Sequence, residues 1–153
     1  MTDIDREAAF GVVTIDRMLP ASVEDVYAAW TDPAVMSTWL SPTGWAEVEA
    51  DVRVGGRLRV VMRGDGMAIE HTGTYLVVEP PHRLVFTWIS EYTGGSPTTV
   101  TVTLSPRGND THLTLSHTDL SRDAAMSHRD GWGTILERLE SVLDGEGQDG
   151  APT

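Results

Sequence analysis

Five histidines, at positions 71, 82, 112, 117 and 128, are the side chains of this sequence best suited to acid–base chemistry, because imidazole titrates close to neutral pH. Their spacing shows no close metal-ligand pair. In His117-Thr118-Asp119 strand neighbours alternate between faces, so only one of the two potential ligands reaches the interior. No metal and no cofactor are expected. The chain has no cysteine, which excludes disulfides, thiol nucleophiles and Cys-based zinc sites. It has no lysine either, all eleven basic residues being arginine, so Schiff-base chemistry and a Walker-type phosphate loop have no residue to use. Gly55-Gly56 and Gly64-Asp65-Gly66 read as hairpin turns, since neither opens a helix.

The elements that must position these groups follow from turn signals and periodicity. Residues 11–19 alternate and are β-rich, stopping at Pro20. Ser22 with Asp25 three residues later forms a capping box that opens a short helix carrying Val23, Val26, Tyr27 and Trp30. Asp32-Pro33 restarts a second helix that runs to about Trp39. Strands are predicted over 45–52, 57–63, 67–79, 83–90, 98–105 and 111–118, joined by tight turns, which implies an antiparallel meander. After Ser121, Trp132, Ile135, Leu136, Leu139, Val142 and Leu143 form a stripe of helical period that Gly145 is expected to stop. The order β-α-α-β6-α predicts an α+β fold in which a curved antiparallel sheet grips one long C-terminal helix, each hiding its apolar face in the other. The domain spans 10–144, with flexible residues 1–9 before it and a disordered tail over 145–153.

Alternation assigns the faces. Leu58, Val60 and Met62 point inward between Arg57, Arg59 and Arg63. Val100, Val102 and Leu104 point inward between outward threonines, and Leu113, Leu115 and His117 share the inner face of the last strand. The arginines of 53–63 lie opposite Glu47, Glu49 and Asp51, a cross-strand charge pattern on a solvated face. Strand 67–79 is ambiguous. The set Met67, Ile69, His71, Gly73, Tyr75 and Val77 is the more apolar and is taken as inward, with a bulge near Gly73 able to reverse either end.

His117 is the polar residue of greatest interest, because a buried imidazole needs a hydrogen-bond partner or a ligand. It is a structural histidine satisfied by backbone or water, a ligand-orienting group, or a catalytic one. For catalysis the candidates are His117, His71 and Tyr75. For ligand binding they are Trp39, Trp45, Met62, His71, Tyr75, Trp88, Leu115, His117, Met126, Trp132 and Leu136, with Met67 as further adaptable lining. Each of the five tryptophans is also ordinary core material, but large amphipathic rings around a helix–sheet gap suit a pocket for a flat apolar ligand.

The sequence resembles the activator-of-heat-shock-ATPase-like family of the START-like (SRPBCC, helix-grip) superfamily. The resemblance is carried by Arg17-Met18-Leu19-Pro20-Ala21-Ser22, Val26-Tyr27, Trp30-Thr31-Asp32-Pro33, Trp39, Ser41-Pro42-Thr43-Gly44-Trp45 and Asp51-Val52-Arg53-Val54-Gly55-Gly56. It continues through Gly73-Thr74-Tyr75 before Pro80, Arg83-Leu84-Val85-Phe86-Thr87-Trp88, Thr111-His112-Leu113-Thr114-Leu115, His128 and Gly131-Trp132, covering about residues 11–143. It implies the helix-grip fold with a cavity between sheet and helix. Relatives bind lipids, polyketides and other apolar molecules; some are polyketide cyclases, and one branch protects enediyne producers by sequestering the antibiotic. The family has no universal catalytic motif.

Four functions follow as expectations: binding of a small apolar or aromatic ligand, polyketide cyclase/dehydratase-type catalysis, antibiotic sequestration, or a co-chaperone-like protein interaction. The name-giving co-chaperone has a separate N-terminal domain without counterpart here, so ATPase activation is not expected. The net charge of −12 argues against nucleic acid or an anionic membrane surface as partner. No run approaches the ~18 apolar residues of a membrane span, and the acidic MTDIDREAAFG start lacks the order of a signal peptide. A cytoplasmic monomer or homodimer is expected.

Overall fold

The computed structural model describes residues 11–149, with side chains through Gly145; the readings for residues 1–9 and 150–153 lie outside the described residues. Strand β1 (Val13–Leu19) is followed by helices α1 (Val23–Thr31) and α2 (Pro33–Trp39). Strands β2 (Trp45–Ala50), β3 (Arg57–Gly64), β4 (Met67–Glu79), β5 (Arg83–Trp88), β6 (Thr98–Arg107) and β7 (Asp110–Thr118) follow, and helix α3 (Arg122–Asp149) closes the domain. The sheet order is β1-β7-β6-β5-β4-β3-β2, every pair antiparallel. The chain therefore starts at one edge of the sheet, crosses by α1 and α2 to the other, and meanders back. This is the expected helix-grip architecture.

Local chemistry sets the helix boundaries. Ser22 Oγ accepts from Asp25 N at 3.2 Å and Asp32 Oδ1 from Ala34 N at 3.0 Å, each supplying an acceptor to an otherwise unpaired first-turn N–H. Ser121 Oγ does the same for Ala124 N at the start of α3. Gly145 does not stop α3, which is helical on to Asp149. A glycine costs a helix about 1 kcal/mol without making continuation impossible.

The inward sets of β3, β6 and β7 are as alternation assigns them: Leu58, Val60, Val100, Val102, Leu104, Leu113, Leu115 and His117 are buried. On the opposite face Arg59 bridges Glu49 at 3.1 Å and Glu70 at 2.6 Å, and Arg63 meets Glu47 at 2.6 Å. In β4, His71, Gly73 and Tyr75 face inward. The register shift lies between Tyr75 and Val77 rather than at Gly73, after which Val78 packs against the core while Leu76 is exposed. Gly73 has a different duty: a Cβ there would sit 1.8 Å from the Thr87 carbonyl oxygen. Only glycine lets β4 press its backbone against β5 at the point where its pairing passes from β3 to β5.

The tryptophans form much of the core. Trp39 packs edge-on against Trp30 at 4.7 Å, Trp30 lies 6.3 Å from Trp132, and Trp132 lies 5.7 Å from Trp88. Phe86 and Tyr75 extend this chain along the sheet.

Candidate functional site

The inner stripe of α3 divides into two halves with different neighbours. Leu136, Leu139 and Leu143, in its C-terminal half, are buried in the main core. One turn earlier, at i, i+3, i+4 and i+7, stand His128, Gly131, Trp132 and Ile135, and these four face a cavity of about 300 Å³. Opposite them are Met62, Met67, Ile69 and His71 of β3 and β4, with Trp88 from β5. The turn Ser41–Thr43 and Tyr92 complete the wall, and Arg63 and Asp65 stand at the hairpin that joins β3 to β4. His71, Trp88, Trp132 and Ile135 are buried and form the floor; Thr43, Asp65, Met67 and Tyr92 are exposed and form the mouth.

Gly131 leaves room in this stripe. A Cβ at that position meets nothing within 4 Å, so the missing side chain is cavity space rather than close packing. The mouth is held from the same face of the helix, two turns beyond Gly131. Arg138 donates to the Ser41 carbonyl at 2.5 Å, the Gly44 carbonyl at 2.6 Å and the Thr38 carbonyl at 3.3 Å. One guanidinium thus satisfies carbonyls at the end of α2 and pins the Ser41–Thr43 turn to α3.

Three histidines surround the floor, in different bonding states. His117, fully buried, receives Trp132 Nε1–H at Nδ1 (3.0 Å). An indole N–H only donates, so Nδ1 bears the lone pair and the ring proton sits on Nε2. That proton is donated to Thr98 Oγ1 at 2.7 Å, and Thr98 passes its own to the Trp88 carbonyl at 2.5 Å. The relay from Trp132 through His117 and Thr98 to Trp88 leaves no atom of the imidazole free. Burial and the neighbouring histidines push its pKa down to about 3, and protonation at Nδ1 would set two N–H groups against each other.

His71 lies flat on Trp88 at 4.5 Å, and its Nδ1 is buried with no hydrogen-bond partner. Burial lowers its pKa to about 4, opposed by the backbone carbonyls of Ile69 and Val60 beside the ring. His128 is half-buried, edge-on to His117 at 4.9 Å, with Nδ1 2.7 Å from the Ala124 carbonyl. Burial lowers its pKa as well. All three rings are therefore neutral at pH 7.

Of the residues singled out in the sequence, Met62, His71, Trp88 and Trp132 come together around the cavity, as does Met67. The others do not line it. Trp39 is sealed in the core, its Nε1 donating to Ala29 O at 3.2 Å, because α2 turns it toward Trp30 and not toward the gap. Trp45 is 53% exposed beneath Arg63 on the outer surface. Leu115 and Leu136 fill solid core. Met126 is 68% exposed, since it falls on the outer side of α3. His117 lies behind the wall, screened by its own relay. Tyr75 is buried beyond the cavity with its hydroxyl unpartnered, and burial raises its pKa further from neutrality. His128, Gly131, Ile69, Tyr92 and the Ser41–Thr43 turn line the cavity without having been singled out as lining. His128 and Gly131 had a signal: they extend the Trp132 stripe by one turn. Among the described residues no three side chains of metal-ligating type are placed so that they could hold a metal ion, and no helix is long and apolar enough to cross a membrane.

A family model for Activator of Hsp90 ATPase homolog 1-like proteins matches residues 20–144. The chain belongs to this family. Solved structures resemble this Activator of Hsp90 ATPase homolog 1-like domain over most of its length. NE0264 from Nitrosomonas europaea is 24% identical with a TM-score of 0.77, the match covering 92% of this chain and 98% of that one. CalU16 from Micromonospora echinospora is 28% identical with a TM-score of 0.71, covering 90% and 79%. A protein from Arthrobacter aurescens, determined by solution NMR, is 28% identical with a TM-score of 0.78, covering 90% and 88%. No curated protein matches the sequence. Folds of this family commonly bind hydrophobic ligands, and the matched region includes both walls of the cavity.

Proposed function

We propose that this domain binds a small apolar or aromatic molecule in the gap between the sheet and the N-terminal half of α3. The observation that carries this reading is the open half of the helix stripe. There Gly131 stands where a core side chain would otherwise fill the gap, and the space behind it is floored by Trp88, Trp132 and His71. The volume of about 300 Å³ lies at the lower end of small-molecule pockets, roughly 300–1,000 Å³, which suits a compact ring system better than a long acyl chain. Met62 and Met67 supply polarizable, adaptable walls.

Catalysis has less support than binding. Of the three candidates, His117 is saturated by Trp132 and Thr98 and Tyr75 does not line the cavity, which leaves His71 alone among them facing a bound molecule. A co-chaperone-like interaction leaves the open half of the stripe without purpose.

Intrinsic fluorescence tests the reading directly, since Trp88 and Trp132 form the floor. A panel of mono- and bicyclic aromatics is expected to shift or quench emission and to raise Tm through preferential binding to the folded state. Gly131→Phe, which places a ring in the cavity, is expected to abolish both responses while the protein stays folded. Unchanged responses in that variant place binding elsewhere on the surface and defeat the proposal.

A further inference from the structure

The cavity has few hydrogen-bonding atoms left to spend. Trp132 Nε1–H is used by His117, the Ser41 hydroxyl by the Thr43 carbonyl, the Ser127 hydroxyl by the Ala124 carbonyl, and Arg63 Nε by Glu47. The two imidazoles that line the cavity, His71 and His128, keep unspent nitrogens.

His128 has a defined polarity. A carbonyl oxygen only accepts, so the 2.7 Å contact with Ala124 O fixes the ring proton on Nδ1 and leaves the lone pair on Nε2. What His128 offers a neighbour is an acceptor. His71 is 4% exposed, with Nδ1 enclosed and unpartnered. Native interiors rarely leave such an atom unmatched unless a ligand or water completes it.

Resting on the ligand reading above, we infer that the cavity is built for a flat, uncharged aromatic that carries a hydroxyl, its O–H donated to His128 Nε2 and His71 serving as the second polar contact while the ring lies against Trp88 and Trp132. Each alternative chemistry is matched less completely. An anion finds no uncommitted cation, because Arg63 in the cavity wall is held by Glu47. A buried ammonium finds no carboxylate in the floor, since Asp65 stands exposed at the mouth. A ligand whose only polar atom is a carbonyl has nothing to donate to His128.

Calorimetric titration of the full chain with β-naphthol, its methyl ether and β-naphthoate separates these cases. β-Naphthol is expected to bind about tenfold more tightly than the methyl ether, the worth of one buried hydrogen bond. His128→Phe is expected to erase that ratio, weakening β-naphthol by far more than it changes the ether. His128→Gln, whose side-chain oxygen falls near the Nε2 position, is expected to retain most of it. Equal affinities for naphthol and ether in the wild-type protein would overturn the hydroxyl inference and leave the apolar cavity standing. Tightest binding of the naphthoate would overturn it in favour of an anion site. Binding of none of the three would remove the ligand reading and this inference together.

Discussion

His117 and His71 occupy equivalent places in the sheet, on the inner faces of β7 and β4, and are 0% and 4% exposed. Desolvation drives both pKa values down, to about 3 and about 4. Their bonding differs. His117 is the middle link of a closed relay whose other members are Trp132, Thr98 and the Trp88 carbonyl. His71 has a stacked neighbour in Trp88 and a nitrogen with no partner. Burial of an imidazole therefore does not mark a site; a hydrogen-bonding deficit beside open space does. His117 belongs to the closed part of the helix–sheet gap, and His71 belongs to the open part.

The sharpest way to break that contrast is to remove each ring. His117→Leu strands the Trp132 N–H inside the core and removes the donor that Thr98 Oγ1 accepts from, and is expected to cost about 3 kcal/mol or more. His71→Phe keeps the stack on Trp88 and loses no hydrogen bond, so the change is expected to stay within about 1 kcal/mol. Urea unfolding with an unchanged m-value measures both. Equal losses would make the two histidines structurally equivalent and dissolve the distinction.

Acid unfolding sharpens the comparison. Both folded-state pKa values lie below the unfolded value of about 6.5, so the unfolded chain takes up protons first as pH falls. The stabilisation is complete above about pH 6.5 and is lost on acidification, down to about pH 4 for His71 and about pH 3 for His117. Each ring contributes a slope of up to about 1.4 kcal/mol per pH unit, and the lowered pKa of His128 acts in the same direction. His71→Phe is expected to flatten the stability curve between about pH 6.5 and 5, above the range where carboxylates titrate. An unaltered slope in that variant means that His71 is not held neutral.

The fold was legible in the sequence because alternation is a strong signal: threonines and arginines on one parity, valines and leucines on the other, left little choice for β3, β6 and β7. In β4 the run Tyr75-Leu76-Val77-Val78 is apolar on both parities, and nothing local places the bulge. The cavity was less legible for a related reason. A helix stripe is traced through apolar residues, so it begins at Trp132, and His128 and Gly131 one turn earlier fall outside it. The saturation of His117 depends on Thr98 and Trp132, 19 and 15 residues away, which no spacing rule anticipates. Trp39 and Trp45 illustrate a third limit: lying beside a turn fixes where a side chain starts, not which way it rotates.

Arg138 tests whether the open half of the gap is maintained by its surroundings. Arg138→Met keeps much of the aliphatic stem but abandons the carbonyls of Thr38, Ser41 and Gly44. These are partly solvated, so the expected loss is about 1–2 kcal/mol. Faster hydrogen exchange confined to residues 38–44 would show that the guanidinium holds the turn at the mouth. Unchanged exchange there would show that the turn holds itself.

The smallest effect is the most diagnostic. Glycine in a helix interior costs about 0.8–1.0 kcal/mol relative to alanine, and Gly131 incurs this inside α3 with nothing within 4 Å of the missing Cβ. Gly131→Ala therefore relieves the helix without a clash and is expected to stabilise the fold by about 0.5–1 kcal/mol, read as a small rise in the urea midpoint. The methyl group enters the cavity between Trp132 and the β4 wall. If the space behind Gly131 exists for a ligand, the largest aromatic that the wild-type protein binds should weaken or be rejected, while smaller rings remain. A stabilised variant that binds every aromatic as before would mean that the glycine leaves a void the ligand does not use. The contrast between the filled and the open half of α3 would then concern packing alone.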